Sequence, residues 1–187
     1  MKPVNIDKTN FYNGLQNKIF SIVLEKLEQG EQVLDVGCGD CKLAEYLARE
    51  RNMKIVGLDI DGKKFTDTLE KFSDNIQTKV ICKEGDAENL KDFANESFSA
   101  VVSVYSLHEF HNPLRMLQEC ARVLTKEGKI IVVDFLPNTL AEELWSEQYL
   151  KAQEMKKLIR KAGFKIIQQE LISQEGPALT IGCKRGK

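Results

Sequence analysis

No stretch of this sequence approaches the roughly 20 consecutive apolar residues that cross a bilayer, and its first ten residues, MKPVNIDKTN, lack the apolar core of a secretory signal. The expectation is a cytoplasmic protein with no membrane partner. Positive charge is not in excess either, since 27 basic residues face 28 acidic ones for a net charge of −1. Without a global positive field, nucleic acid is not the expected partner. Cysteine is sparse and irregularly placed, at Cys38, Cys41, Cys82, Cys120 and Cys183, and an odd count of this kind suits reduced thiols better than a disulfide framework. Cys38 and Cys41 do form a C-x-x-C after a strand, but no second pair completes a four-ligand zinc site, and no metal is expected. Internal repeats, low-complexity tracts and linkers are missing as well. The 187 residues therefore read as one domain, 1–187, with enough chain for a sizeable core.

What the chain does have is VLDVGCGDCKLAEYL, residues 33–47. Val33, Leu34 and Val36 make a buried strand, and Gly37 and Gly39 allow a turn and a close ligand approach that a Cβ would obstruct. A helix follows, with Leu43, Ala44, Leu47 and Ala48 on one face and its first N–H groups aimed at the crevice. A dinucleotide fingerprint needs a small residue where this chain has Lys42, and a P-loop needs a Gly-Lys-Ser/Thr that is absent. A second strand, residues 54–58, ends at Asp59, about twenty residues after the turn, the distance at which a carboxylate reaches a ribose diol. A third strand, 79–83, leads into Gly85-Asp86-Ala87.

The run VLDVGCGDCKLAEYLA, then IVGLDID, then EGDAENL resembles the successive cofactor motifs of the class I S-adenosylmethionine-dependent methyltransferases. Cys41 stands where many members carry a third glycine, and Glu127 replaces the first glycine of a later pair. The resemblance implies S-adenosyl-L-methionine as cofactor, held by Asp35, Gly37, Cys38, Gly39, Asp59, Ile60, Asp86, Ala87 and Ser103. In that family Asp86 and Ala87 would meet the adenine edge and Ile60 its face. It also implies an α/β fold, a doubly wound, mostly parallel seven-stranded sheet with helices on both faces and one antiparallel strand from a C-terminal hairpin.

The remaining pattern supplies those elements. Apolar spacing predicts an N-terminal helix from Asn13, capped through Gln16 and ended by Gly30, so that residues 1–29 form a helix and lid in which Phe11 and Tyr12 face the pocket. Residues 1–10 read as loose. A fourth strand spans 98–104, Asn112 and Pro113 start a helix over 114–124, and Gly128 breaks the chain before a fifth strand at 129–135. Thr139 and Glu142 suggest a capping box, a last helix ends near Gly163, and FKIIQQEL and ALTIGCKR close the chain as a hairpin.

Between the fourth strand and Pro113 lies YSLHEFHN, which contains both histidines, His108 and His111, and Tyr105. In an open parallel sheet this loop borders the switch point where ligands bind. A histidine there can take the proton of a methyl acceptor, so His108, His111 and Tyr105 are the catalytic candidates. No Asn-Pro-Pro-Tyr motif points to nucleobase methylation, and no acidic triplet points to metal-dependent catechol chemistry. The short connection after the fifth strand leaves room only for a small cap. The reading is methyl transfer to a small-molecule acceptor, with a homodimer as one way to complete the pocket. The alternatives are a cofactor-binding subunit without transferase activity and an RNA or protein methyltransferase.

Overall fold

The computed structural model describes residues 8–51, 53–173 and 176–185, with side chains from residue 12 onward. Seven strands form one sheet: β1 (Gln32–Val36), β2 (Lys54–Asp59), β3 (Val80–Glu84), β4 (Phe98–Val104), β5 (Leu124–Asp134), β6 (Phe164–Leu171) and β7 (Ala178–Lys184). Their order is β3-β2-β1-β4-β5-β7-β6, and β7 alone runs opposite to the other six strands. The helices are α1 (Lys8–Glu25), α2 (Lys42–Glu50), α3 (Lys63–Leu69), α4 (Asp74–Gln77), α5 (Pro113–Val123), α6 (Leu140–Trp145) and α7 (Ala152–Lys161). None of the described helices is long and apolar enough to cross a membrane.

Strand periodicity explains why both faces are covered. Successive side chains point to opposite sides of a sheet, so Val33, Ala100, Val102, Ile131 and Val133 pack with Ile19 and Val23 of α1 and with Leu43, Ala44 and Leu47 of α2. Their neighbours Leu34, Val101, Ile130 and Val132 pack with Met116, Leu117 and Cys120 of α5 and with Met155 and Ile159 of α7. At roughly 1.5–3 kcal/mol per large apolar side chain, this burial holds the layers together. The chain reverses winding between β1 and β4, and their carboxyl ends open a crevice there.

Several local expectations are corrected. Helix α1 starts at Lys8, so Asn13 and Gln16 are interior rather than a cap, and residues 8–10 are helical. Residues 1–7, the Phe11 side chain and Glu175 of the closing turn lie outside the described residues. Strand β5 begins at Leu124, directly from the end of α5, because Leu124 already pairs with Phe98 of β4 before a register shift that resumes at Lys129 opposite Ala100; Gly128 lies inside the strand, where a Cβ would meet Thr125 and Ser99 carbonyls at 3.0 and 3.1 Å. Thr139 precedes α6 without a side-chain cap, and Glu142 Oε2 instead accepts from the Asn138 N–H at 2.5 Å. Helix α5 begins as expected, with Asn112 Oδ1 accepting from Arg115 N at 3.1 Å.

The largest correction concerns cysteine. Cys41 and Cys82 form a disulfide across a sequence separation of 41 residues; in a chain-entropy account, such a link stabilises by about 4 kcal/mol. Sequence spacing could not reveal it, since the two meet through strand register. Cys82 pairs opposite Gly57 on β2, and Gly57 has no side chain to keep the Cys41 sulfur from crossing above it.

Candidate functional site

The crevice at the carboxyl ends of β1 and β4 is built on the glycine turn. Gly37 has φ +70°, and a Cβ there would lie 2.4 Å from Ser106 Cβ. Only glycine combines that backbone angle with so close a neighbour. The amides of the turn are bonded within the protein rather than left free. Leu58 O accepts from Gly37 N at 2.8 Å and from Cys38 N at 3.1 Å. Asp59 Oδ2 accepts from Gly39 N at 2.8 Å, and Asp40 Oδ1 from Lys42 N at 3.3 Å. Asp59 also accepts from Asp61 N at 3.0 Å and pairs with Lys64 Nζ at 3.2 Å. Its carboxylate therefore both ties the turn to β2 and faces the crevice.

Three adjoining cavities line this crevice. The first, about 360 Å³, is bounded by Asp59, Ile60, Gly85, Asp86, Ala87 and His111. Ile60 is 74% exposed there, an apolar side chain left open beside two loop acids. Asp86 Oδ1 accepts from Glu88 N at 2.8 Å, which fixes that loop. The second, about 220 Å³, lies over the turn and is bounded by Tyr12, Asp35, Gly37, Cys38, Gly39 and Tyr105. The third, about 170 Å³, is bounded by Tyr12, Tyr105, His108, Phe135, Trp145, Glu147 and Tyr149. Glu109 borders all three.

Asp35 is 2% exposed at the end of β1, and its Oδ2 has no hydrogen-bond partner. Burial, with Asp59 and Asp40 adding repulsion, pushes its carboxyl up to about 7. Folded Asp35 thus holds a proton that the unfolded chain releases near pH 4, so its contribution to stability falls as pH rises from about 4 to 7. In Asp35→Asn this loss disappears. Urea denaturation from pH 4 to 8 should show the variant gaining on the parent up to about pH 7 and holding level above it; a difference independent of pH would show that Asp35 does not titrate as its burial dictates. The Tyr105 hydroxyl is likewise buried without a partner, and burial raises it far above an ordinary phenol. Tyr105 adopts φ +56°, an angle that turns its ring between the second and third cavities.

In the third cavity His108 is held on both sides. Its Nδ1 lies 2.8 Å from Asp134 Oδ1 and its backbone N–H donates to Asp134 Oδ2 at 3.0 Å. Nε2 lies 3.1 Å from Glu147 Oε2, which also accepts from the Tyr149 hydroxyl at 3.0 Å. Burial opposes charge on the ring, but Asp134 and then Glu147 outweigh it and raise His108 above the usual histidine value. Phe135 stacks on Tyr105, with ring centroids 4.6 Å apart, and makes the apolar floor.

The expected residues thus divide by place. Asp35, Gly37, Cys38, Gly39, Asp59, Ile60, Asp86 and Ala87 border the first two cavities, and Tyr105 and His108 the third. His111 borders the first cavity, away from His108. Ser103 is fully buried and borders none of the three; its hydroxyl meets Ser106 Oγ at 2.8 Å, and Ser106 in turn donates to Val36 O at 3.0 Å. Sequence reasoning missed Ser106, Glu109, Asp134, Trp145, Glu147 and Tyr149. Asp134 had a signal, an acid closing an apolar parallel strand at the ligand-bearing end; Glu147 and Tyr149 had none.

Residues 34–132 match the family model described as "Methyltransferase domain". Demethylmenaquinone methyltransferase of Thermotoga maritima is 30% identical over 123 residues, covering 65% of this chain and 50% of that protein. The chain spans about half the length of the curated relatives it matches. Among solved structures, the [4+2]-cyclase SpnF superposes with a TM-score of 0.80 at 20% identity, over 91% of this chain and 81% of that one. An S-adenosylmethionine-dependent methyltransferase from Mesorhizobium loti gives 0.74 at 15% identity, over 87% and 96%. With a family match over more than half its length, and a sheet order in agreement with the fold of these solved structures, the chain belongs to the methyltransferase domain family.

Proposed function

We propose that this protein transfers a methyl group from S-adenosylmethionine to a small-molecule acceptor, with the cofactor along the first two cavities and the acceptor in the third. The observation that carries the reading is the continuity of these cavities past Tyr105 to a histidine fixed by Asp134. The residues fit the cofactor. Asp59 offers acceptor oxygens for a sugar diol, exposed Ile60 offers an apolar face for a base, and Asp35, whose buried Oδ2 has no partner, borders the second cavity, where an ammonium group would lie. When bound, the cofactor supplies a sulfonium methyl that is already electrophilic. The protein aligns the acceptor, excludes water and receives its proton. Tyr12 and Tyr105 narrow the passage between donor and acceptor, and His108 Nε2 takes the acceptor proton while Asp134 holds Nδ1. Aromatic walls from Phe135, Trp145 and Tyr149 favour a small molecule over a polymer chain.

Calorimetric titration with S-adenosylmethionine and S-adenosylhomocysteine, with NADH as control, tests the reading first. Micromolar binding of both sulfur compounds supports it, and binding of NADH alone removes it. Asp59→Ala should weaken cofactor binding by roughly 1.5–3 kcal/mol, the scale of lost charged hydrogen bonds. Unchanged affinity would take Asp59 away from the ribose.

A further inference from the structure

Three sulfurs lie together beneath the glycine turn. Cys41, at the start of α2, is bonded to Cys82 on β3, and the Cys38 thiol donates to Cys41 Sγ at 3.4 Å. They cross β2 at Gly57, where a Cβ would stand 2.9 Å from the Cys41 sulfur and 3.0 Å from that of Cys38. A side chain at position 57 would exclude this arrangement, so the strand and the sulfurs fit as one unit. The cluster also touches the site. Cys38 borders the second cavity, and the next residue, Gly39, is the one bonded to Asp59.

We propose that the Cys41–Cys82 bond is a reversible redox clamp on the cofactor turn, with Cys82 as its point of attack by a dithiol or a disulfide. Cys41 is fully buried, whereas Cys82 is partly exposed. A thiolate of the dithiol bonds to Cys82 Sγ as the Cys41–Cys82 bond breaks. Cys41 leaves with the electron pair, assisted by the Cys38 S–H, and takes up a proton. The second thiol of the reductant then displaces Cys82, which leaves two protein thiols and an oxidised dithiol. Oxidation reverses these steps at the expense of an external disulfide. Two unbonded sulfurs need more room than a bonded pair, and the buried Cys41 sulfur already has the Cys38 sulfur at 3.4 Å and lies against β2 at Gly57. On reduction the turn therefore shifts, carrying Cys38 and Gly39 away from the geometry that Asp59 fixes.

The consequence for the ligand rests on the cofactor reading above, and the test separates the two. Protein equilibrated with glutathione disulfide, then unfolded and labelled with N-ethylmaleimide, should show three free thiols, at Cys38, Cys120 and Cys183, rising to five after dithiothreitol. S-adenosylmethionine should bind the reduced form roughly tenfold more weakly, as when only about a tenth of molecules keep a competent turn. Cys82→Ser should bind at the reduced level with or without dithiothreitol, and Cys38→Ala should form the same bond but lose it more slowly to dithiothreitol. Five labelled thiols at the outset, or equal affinity in the two states, overturns the clamp. Absence of binding in both states removes the cofactor reading and with it the regulation, and the thiol count then decides the bond by itself.

Discussion

Turnover of a His108→Ala variant falls by about 10²–10⁴-fold, the usual worth of a positioned proton acceptor, while affinity for S-adenosylmethionine stays near that of the parent. The two readouts separate because His108 borders the third cavity and neither of the other two. Both ring nitrogens face carboxylates, Asp134 at 2.8 Å and Glu147 at 3.1 Å. Carboxylates only accept, so this geometry is that of a doubly protonated ring, in agreement with the raised pKa. The base appears when Nε2 releases its proton, and the rate with saturating acceptor should rise with pH to a midpoint above the usual 6.5 or so. A rate independent of pH, or a loss of cofactor affinity equal to the loss of turnover, would mean that His108 anchors the loop instead of accepting a proton.

Gly37→Ala destabilises the protein by roughly 2–5 kcal/mol, from a left-handed backbone angle at about 1–2 kcal/mol and overpacking at about 1–3 kcal/mol. Ser106, the residue the new methyl would strike, cannot step aside. Its hydroxyl is bonded to Val36 O and to Ser103, and its side chain is buried at the end of β4. Gly39→Ala is the control, since Gly39 has φ +54° but nothing within 4 Å of a new Cβ. It should lose only the backbone contribution. Urea denaturation of both variants measures the difference, and equal losses would show that the turn, not its contact with Ser106, sets the requirement.

Much of this architecture was legible because it depends on local pattern. The Leu43, Ala44, Leu47, Ala48 face is buried as its spacing required, and β1, β2 and β4 lie within a residue of their expected bounds. The start of α1 and the start of β5 were misplaced for one shared reason. Asn13 resembles a cap and Gly128 resembles a break, but packing of α1 on the sheet and pairing of Leu124 with Phe98 on β4 outweighed those local preferences.

By itself the sequence determined the first strands, the glycine turn, the α2 face and the acid at the end of β2, since strand-turn-helix spacing is a property of neighbouring residues, while the order of the sheet and Asp35 came from the family resemblance. Tertiary structure decided the rest. Asp134 and Glu147 reach His108 across 26 and 39 residues of chain, Ser103 retreats behind Ser106, His111 turns to the far cavity, and Cys41 finds Cys82 over a strand whose glycine leaves the gap. Such pairings are set by strand register and loop packing between distant segments, for which one-dimensional spacing carries no signal.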